Sequence, residues 1–583
     1  MAMFDQSRHG SRPELTVDGA PLAADVVPAL IRVIVDSHLH LPDMFVLQFR
    51  DTEREVVRRA NISFGSRIEV SATADGDGTL SRLISGEVTA LEQQTDGTGT
   101  STIVRGYDQS HRLSRGRHTR TFADTTDADI VRRIGGEAGL SIGEVSGDGP
   151  TYTHVSQLNL TDWEFLRSRA HETGHEVSVH DGALNWRRPA DSGTAPSGSD
   201  DLLSPAAPHE LLLGRDLHRF SPRVSAAEQV SEVQVRSWDP TQKQTIVGSA
   251  QASCSSAGVG IGPAQLAKTF SASPFVVVDR PVTSQGEADA LAAAVADHIA
   301  GVHAEAEATA HGDPLLRPGQ AVRIGGVGWP HDGNYVVTTA RHTYDDGGYR
   351  TEFTVSGRTD RSLLGLASLG ATKGARRASG PLINGLVIGQ VTDCSDPENL
   401  FRVKVAFPWL SDDYESWWCR VSQPGAGNQR GMLWLPEVGD EVLVGFAHGD
   451  SRVPYVVGSL YNGVDTPPLA DQLVDSGSGE VKLRALVSRT NHRLVLSDDD
   501  SDSHVLLSTG DDKLTITMDK SQTAITIDSS GTITIQGSQK IQIKSDSDIS
   551  LQAGGSLSLS GQTGVSIDGG PSVSVSGQLI KLN

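Results

Sequence analysis

The fold class this sequence predicts is mainly β with minor α, with a small closed barrel in mid-chain and a C-terminal trimeric β-helix, or β-prism, of octad repeats. Three observations predict it. The composition is turn-rich, residues 381–463 form a string of short strand patterns separated by turn residues, and residues 521–576 repeat with a period of eight.

Among 583 residues there are 62 glycines and 26 prolines against only 5 methionines, which favours a β protein over a helical one. The length suggests about four domains. With 72 acidic and 50 basic side chains the net charge is −22, which argues against extended contact with nucleic acid phosphates or an anionic membrane. Cys254, Cys394 and Cys419 stand too far apart for a zinc ribbon or a disulfide framework and read as buried small hydrophobes. No cofactor is expected. No apolar run approaches the length of a membrane span, and Val26–Val35 is broken by Arg32 and followed by Asp36. The expectation is therefore a chain without a secretory signal, cytoplasmic at assembly, that would leave the cell only by a route other than general export.

From Ser521 to Ser576 the chain divides into seven blocks of eight, and the fifth and seventh positions are apolar in each. They are Ile525 and Ile527, Ile533 and Ile535, Ile541 and Ile543, Ile549 and Leu551, Leu557 and Leu559, Val565 and Ile567, and Val573 and Val575. Chance would fill all of them about once in a million chains of this hydrophobicity. Alternation makes a short strand with one buried face, and the small residue opening each block lets the chain turn. A single chain would need roughly 24 residues per rung of a three-sided solenoid, leaving too few rungs for a stable stack. Three intertwined copies would instead build about seven rungs at ~4.8 Å, a prism on the order of 35 Å long. The fourteen apolar side chains are thus the expected trimer core. From Lys513 onward five acids (Asp519, Asp528, Asp546, Asp548, Asp568) balance five bases (Lys513, Lys520, Lys540, Lys544, Lys581), so the repeat is electrically neutral.

The middle segment adds ordered motifs: Gly385–Val391, Asp396-Pro397, Phe401–Val405, Phe407-Pro408-Trp409, Trp417-Trp418, Leu435–Val444, His448-Gly449-Asp450 and Pro454–Gly463. In this order they resemble the VgrG spike family of contractile injection systems, in which the segment is an oligonucleotide/oligosaccharide-binding (OB) barrel. A nucleic-acid role does not follow, because a single-strand binder needs a basic groove with exposed stacking aromatics. The aromatics here mostly sit beside Pro, Val and Leu and look like core.

Upstream, Phe45–Asp51, Gly106–Leu113, Thr119–Phe122, Thr161–Leu166, Gly214–Leu217, Val233–Pro240, Arg317–Gly319 and Gly333–Val337 resemble, more loosely, the hub of VgrG and of phage tail proteins. The resemblance implies a tandem barrel hub over 1–369, with two barrel-like modules and α/β inserts; it is weakest at 189–208, whose Ser/Gly/Pro/Asp-rich composition reads as a mobile loop. A linker at 370–380, the barrel at 381–463, a second linker at 464–475 and a β-helix spike at 476–583 complete the expected organisation. A helix starting at Ser284-x-x-Glu287 carries Leu291, Val295, Ile299 and Val302 on one face for packing.

Several motifs compete for a chemical role. His171-Glu172-Thr173-Gly174-His175 matches HExxH, which in a zinc protease sets two histidines one turn apart with the glutamate as base. Here a capping box at Thr161 and Glu164 and the glycine at 174 end the helix between the histidines, so they need not share a face. Asp498, Asp500 and Asp502 imitate a calcium loop but lack its glycine and its last glutamate. Gly425–Gly431 and Gly258–Gly262 lack dinucleotide-loop spacing, and His38 and His40 have no third ligand nearby in sequence.

The expected function is a homotrimeric spike and hub at the tip of a contractile injection machine, without enzymatic activity. The resemblance implies tube and baseplate proteins as partners on one side and a PAAR-repeat tip protein on the other. Leu579, Ile580 and Leu582 at the prism end are the expected tip contact, because bare strand edges and apolar side chains there require a cap. Effectors are optional cargo, nucleic acid is not a partner, and a target membrane is met only on firing. The alternatives are a zinc metallohydrolase using His171, Glu172 and His175, and a glycan-binding tail fibre.

Overall fold

The strands form where apolar and polar residues alternate, and the few helices form where a capping residue precedes an apolar stripe. The computed structural model describes residues 13–73, 79–97, 99–147, 149–198, 202, 207–239, 242–270, 273–282, 284–358, 383 and 385–581. The chain divides into two compact units, the first ending at Asp465 and the second beginning at Thr466.

In the first unit, eleven strands make one sheet. Its two halves meet where Leu30–His38 pairs antiparallel with Thr339–Asp345. One half buries Val33, Phe45, Leu47, Phe49, Ile68 and Val104. The other packs Leu217 and Phe353 with Val322, Ile324 and Tyr335 of a neighbouring four-stranded sheet. The strands of this sheet thus carry two separate cores.

Three helices serve as inserts. α1 (Asp127–Glu137) opens with a reciprocal box between Thr126 and Asp129. α2 (Asp162–Thr173) opens with the same device between Thr161 and Glu164 and stops at Gly174, whose φ of +68° suits glycine best. Both pack into a core containing Phe122, Ile134, Leu166 and Trp186. α3 (Gln285–Gly301) is capped by the Ser284 side chain, which accepts the Glu287 amide. Its Leu291 and Val295 lie against Val233, Val235 and Ile246 of a separate sheet, with Ile299 partly buried beside them.

The closed barrel consists of β1 (Leu386–Asp393), β2 (Arg402–Ala406), β3 (Cys419–Val421), β4 (Glu441–Phe446) and β5 (Pro454–Ser459), with β1 pairing β4 to close it. Its interior holds Val391, Val403, Val405, Phe407, Tyr414, Val442, Val444 and Val456, and Leu158 of the hub joins the same cluster.

Three expectations need correction. Cys419 is buried, but Cys254 and Cys394 are only half-buried. Barrel aromatics are not uniformly core, since Trp409, Trp434 and Tyr461 are exposed while Phe407 and Tyr414 are buried. The segment 189–208, expected as a mobile loop, begins as ordered structure: Ser192 is buried and its amide donates to the Ser255 carbonyl at 2.7 Å. Residues 199–201 and 203–206 of that loop, and the whole 370–380 linker, lie outside the described residues.

In the second unit an antiparallel meander runs through β6 (Leu483–Val487), β7 (Arg493–Ser497), β8 (His504–Ser508), β9 (Leu514–Asp519) and β10 (Ala524–Ser529). The first octad therefore pairs within the chain, Ile525 opposite Met518 and Ile527 opposite Ile516. After Ser529 the described residues form no further strand pairing within the chain.

Candidate functional site

The second unit presents a surface assembled by strand register. Side chains alternate across a sheet, so residues two apart share a face. Pairing aligns Leu494, Leu507, Ile516 and Ile527 in one row, and Leu496, Val505, Met518 and Ile525 in the next. Leu486 extends the first row opposite Leu494. On the reverse face Val495, Ser497 and Ser508 are buried. The two-row face is bare: Leu486, Leu494, Leu496, Leu507, Ile516 and Met518 are 38–53% exposed. All fourteen octad positions are exposed as well, from 51% at Ile541 to 74% at Ile525. Soluble chains seldom leave so long an apolar stripe open to water.

The pairs at 494/496, 505/507 and 516/518 have the same apolar-x-apolar form as the octads, at a spacing of eleven residues rather than eight. Reading only for a strict period of eight hides them. Leu579 and Ile580 are also exposed, at 74% and 49%, and Leu582 lies outside the described residues.

In the first unit the HExxH residues are brought together in sequence and separated in role. His171 meets His298 of α3 edge-on, ring centroids 5.1 Å apart. His175 stacks on Trp186 at 5.1 Å, with its Nδ1 2.9 Å from the Thr173 hydroxyl. Glu172 accepts from Arg169 at 2.6 Å and from Arg452 of the barrel at 3.4 Å. Arg169 in turn donates twice to Asp127 of α1, at 2.8 and 3.1 Å, and Arg452 donates to Asp450 at 2.8 Å. Burial pushes the His171 imidazole far below its ordinary pKa, and the neighbouring carboxylates hold Arg452 firmly protonated against its own burial. A general base needs a carboxylate lone pair aimed at a bound water. The Oε2 of Glu172 faces two guanidinium groups, and the ion-pair chain Asp127–Arg169–Glu172–Arg452–Asp450 ties hub to barrel.

Other candidate motifs are likewise absorbed. Asp498 pairs with Arg484 and Asp499 with Lys482, while Asp502 lies 3.1 Å from the His504 Nδ1. The Nδ1 of His38 accepts the His40 amide at 3.1 Å. Among the described residues no three His, Cys, Asp or Glu side chains are arranged to hold a metal ion. Among them, too, no helix is long and apolar enough to cross a membrane.

The hub–barrel junction holds a half-buried histidine. His154 lies with its ring 5.7 Å from that of Trp417, its Nε2 2.9 Å from the Ser156 hydroxyl, and burial followed by the Lys404 charge pulls its pKa down to about 4. Deeper in the hub, His342 accepts from the Tyr349 hydroxyl at Nδ1 and donates from Nε2 to the Leu316 carbonyl, and burial lowers its pKa to about 3. In each case the unfolded chain takes up the proton first, so this stability is complete above pH ~6.5 and is lost as pH falls toward these values. At ~1.4 kcal/mol per unit, His154 alone accounts for about 3 kcal/mol. The melting temperature of the first unit is expected to fall between pH 7 and pH 4. His154→Gln and His342→Gln should each flatten that slope, and a slope unchanged in both variants would contradict the assignment.

Residues 387–461 match the family described as the type VI secretion system/phage-baseplate injector OB domain. Residues 48–346, just over half of the chain, match the family described as the Alg8 N-terminal domain. The chain is 38% identical over 104 residues to the type VI secretion system spike protein VgrG3 of Vibrio cholerae, covering 16% of this chain and 10% of that protein. It is 37% identical over 97 residues to the actin cross-linking toxin VgrG1 of the same species, covering 15% and 9%. The matched region thus spans about a tenth of the length of these curated relatives. Among solved structures, the lidded Francisella PdpA–VgrG complex is similar with a TM-score of 0.50 at 8% identity, over 90% of this chain and 80% of that one, a likeness of fold alone.

Proposed function

The chain belongs to the Alg8 N-terminal domain family and is a VgrG-type spike protein of the type VI secretion and phage-baseplate class, and from this premise we propose that three copies form the rigid tip of a contractile injection machine. The observation that carries the threefold reading is the bare two-row face and its continuation through the octads. Packing one copy's rows against those of two others removes the stripe from water, at roughly 25 cal/mol per Å² of apolar surface.

The role is mechanical. A stiff, narrow prism of no net charge concentrates the thrust of contraction on a small area of the target membrane, which it meets only on firing. The hub seats the prism on tube and baseplate proteins, and the exposed Leu579 and Ile580, with Leu582, receive a PAAR-repeat tip. Effectors travel as attached cargo. The chain itself is non-enzymatic on this reading, supported by the engagement of Glu172 in ion pairs rather than in a catalytic constellation. It assembles in the cytoplasm and leaves with the particle.

The mass of the full-length chain in solution tests the proposal. A trimer is expected, and a well-behaved monomer with a folded second unit would overturn it. A glycan-binding fibre built on a similar prism would instead bind oligosaccharide arrays and would not associate with tube protein.

A further inference from the structure

In the hub, the turn between the strands Leu30–His38 and Met44–Arg50 comes back beside the end of the strand Gly99–Asp108. Register pairs Met44 with Tyr107, and one step further the Asp108 amide donates to the Asp43 carbonyl at 2.8 Å. Asp43 and Asp108 therefore stand directly opposite each other on one face of the sheet, with their Cβ atoms about 5 Å apart. Asp108 is buried and Asp43 half-buried. Like charges set opposite each other in a sheet repel, and more strongly out of water.

The bonds given to this pair come from neutral groups. Asp43 accepts the His38 amide at 2.9 Å and the Ser37 hydroxyl, and Asp108 accepts the amide and hydroxyl of Ser110 and the amide of Asp43. The charged groups around them are engaged elsewhere. Arg317 donates to the carbonyls of Pro314 and Arg82 and lies 2.9 Å from the His180 Nε2. Asp36 accepts from Arg341 at 3.1 Å, Glu87 holds Arg112 and His111, and the His38 Nδ1 accepts the His40 amide. Burial pushes the Asp43 carboxyl up to about 7, with the Asp36 charge adding to it and the Arg317 charge only partly offsetting it. Burial, then the facing Asp43 charge, raises Asp108 well above the usual carboxylate range.

A cavity of about 470 Å³ adjoins the pair, lined by His38, Leu41 and Pro42 of the turn and by Tyr107, His111 and Ser114 of the facing segment. We propose that Asp43 and Asp108 hold a shared proton that fastens the 38–44 turn to the 107–114 segment, and that its loss in alkali separates these two walls of the cavity. Two opposed carboxyls titrate as one unit, and only when the last proton has passed to solvent do two full charges face each other. The fold binds this proton more tightly than the unfolded chain does. Its stabilisation is therefore complete below the ordinary carboxyl range and is lost as pH rises through the raised values, opposite in sign to the effect of His154 and His342.

Hydrogen–deuterium exchange of the full-length chain at pH 6 and pH 9, corrected for the intrinsic exchange rate, tests this. Protection of peptides spanning 37–44 and 106–114 is expected to fall at least tenfold at the higher pH, while the barrel strand Glu441–Phe446 keeps its protection. Asp43→Asn and Asp108→Asn each remove one of the facing charges and keep an acceptor oxygen. In either variant, protection of the two hub peptides should stay within twofold across the range. Equal protection at both pH values in the unaltered chain, a fall shared by the barrel strand, or a fall of the same size in both variants overturns the inference.

Discussion

Ile541→Asp is expected to abolish a heat- and detergent-resistant assembly, read as loss of the oligomer band in unheated detergent gels and as monomer mass in solution. In the isolated chain Ile541 is 51% exposed, and an exposed substitution ordinarily changes stability by no more than about 0.5 kcal/mol. Around a threefold axis the same change puts three carboxyl groups into one apolar layer. Each then costs several kcal/mol, so the assembly loses on the order of 10 kcal/mol. Ile543→Asp, two positions along the same face, should behave alike, whereas Ser545→Asp, at the turn opening the next block, should be tolerated. Equal tolerance of all three changes would show that the octads do not face a common core.

Glu172→Gln should destabilise the first unit by about 3–5 kcal/mol, because it strips the charge from a carboxylate gripped by two largely buried guanidinium groups. The loss is expected as a lower melting temperature and faster amide exchange in α2 and around Arg452. A zinc hydrolase would respond differently, keeping its stability and losing hydrolysis. Metal analysis of purified protein supplies a second discriminator, since zinc bound stoichiometrically and lost in His175→Ala would favour the enzyme.

The repeat and the barrel were legible in sequence because each is written in local terms: alternation, a fixed small residue, turn chemistry at short spacing. The cap of α2 was legible for the same reason, and with it the separation of His171 from His175. What local pattern could not give was pairing between distant strands. Nothing around Val33 announces that it will lie opposite Tyr344, the register that fuses two hub cores onto one sheet. The Glu172–Arg452 link, joining residues far apart in the chain, was invisible for that reason too. Trp434 misled because an aromatic beside leucine and proline has the same composition whether it fills a core or projects from a hairpin clamped by Gln423. The part of the spike face that precedes the octads falls outside their pattern because its apolar pairs recur every eleven residues, not every eight.

The meander β6–β10 completes its ladder within one chain, whereas the described residues beyond Ser529 find no pairing there. On the trimer reading, growth of the needle should therefore behave like a zipper, with the internally paired meander as its slider and each later rung locking only once three strands are present at the same height. Nucleation is then the bimolecular or termolecular step and elongation is first order. Dilute refolding should stall with finished hubs and loose tails, and fusing a preformed trimeric coiled coil beside the meander should remove the concentration dependence without touching a single octad.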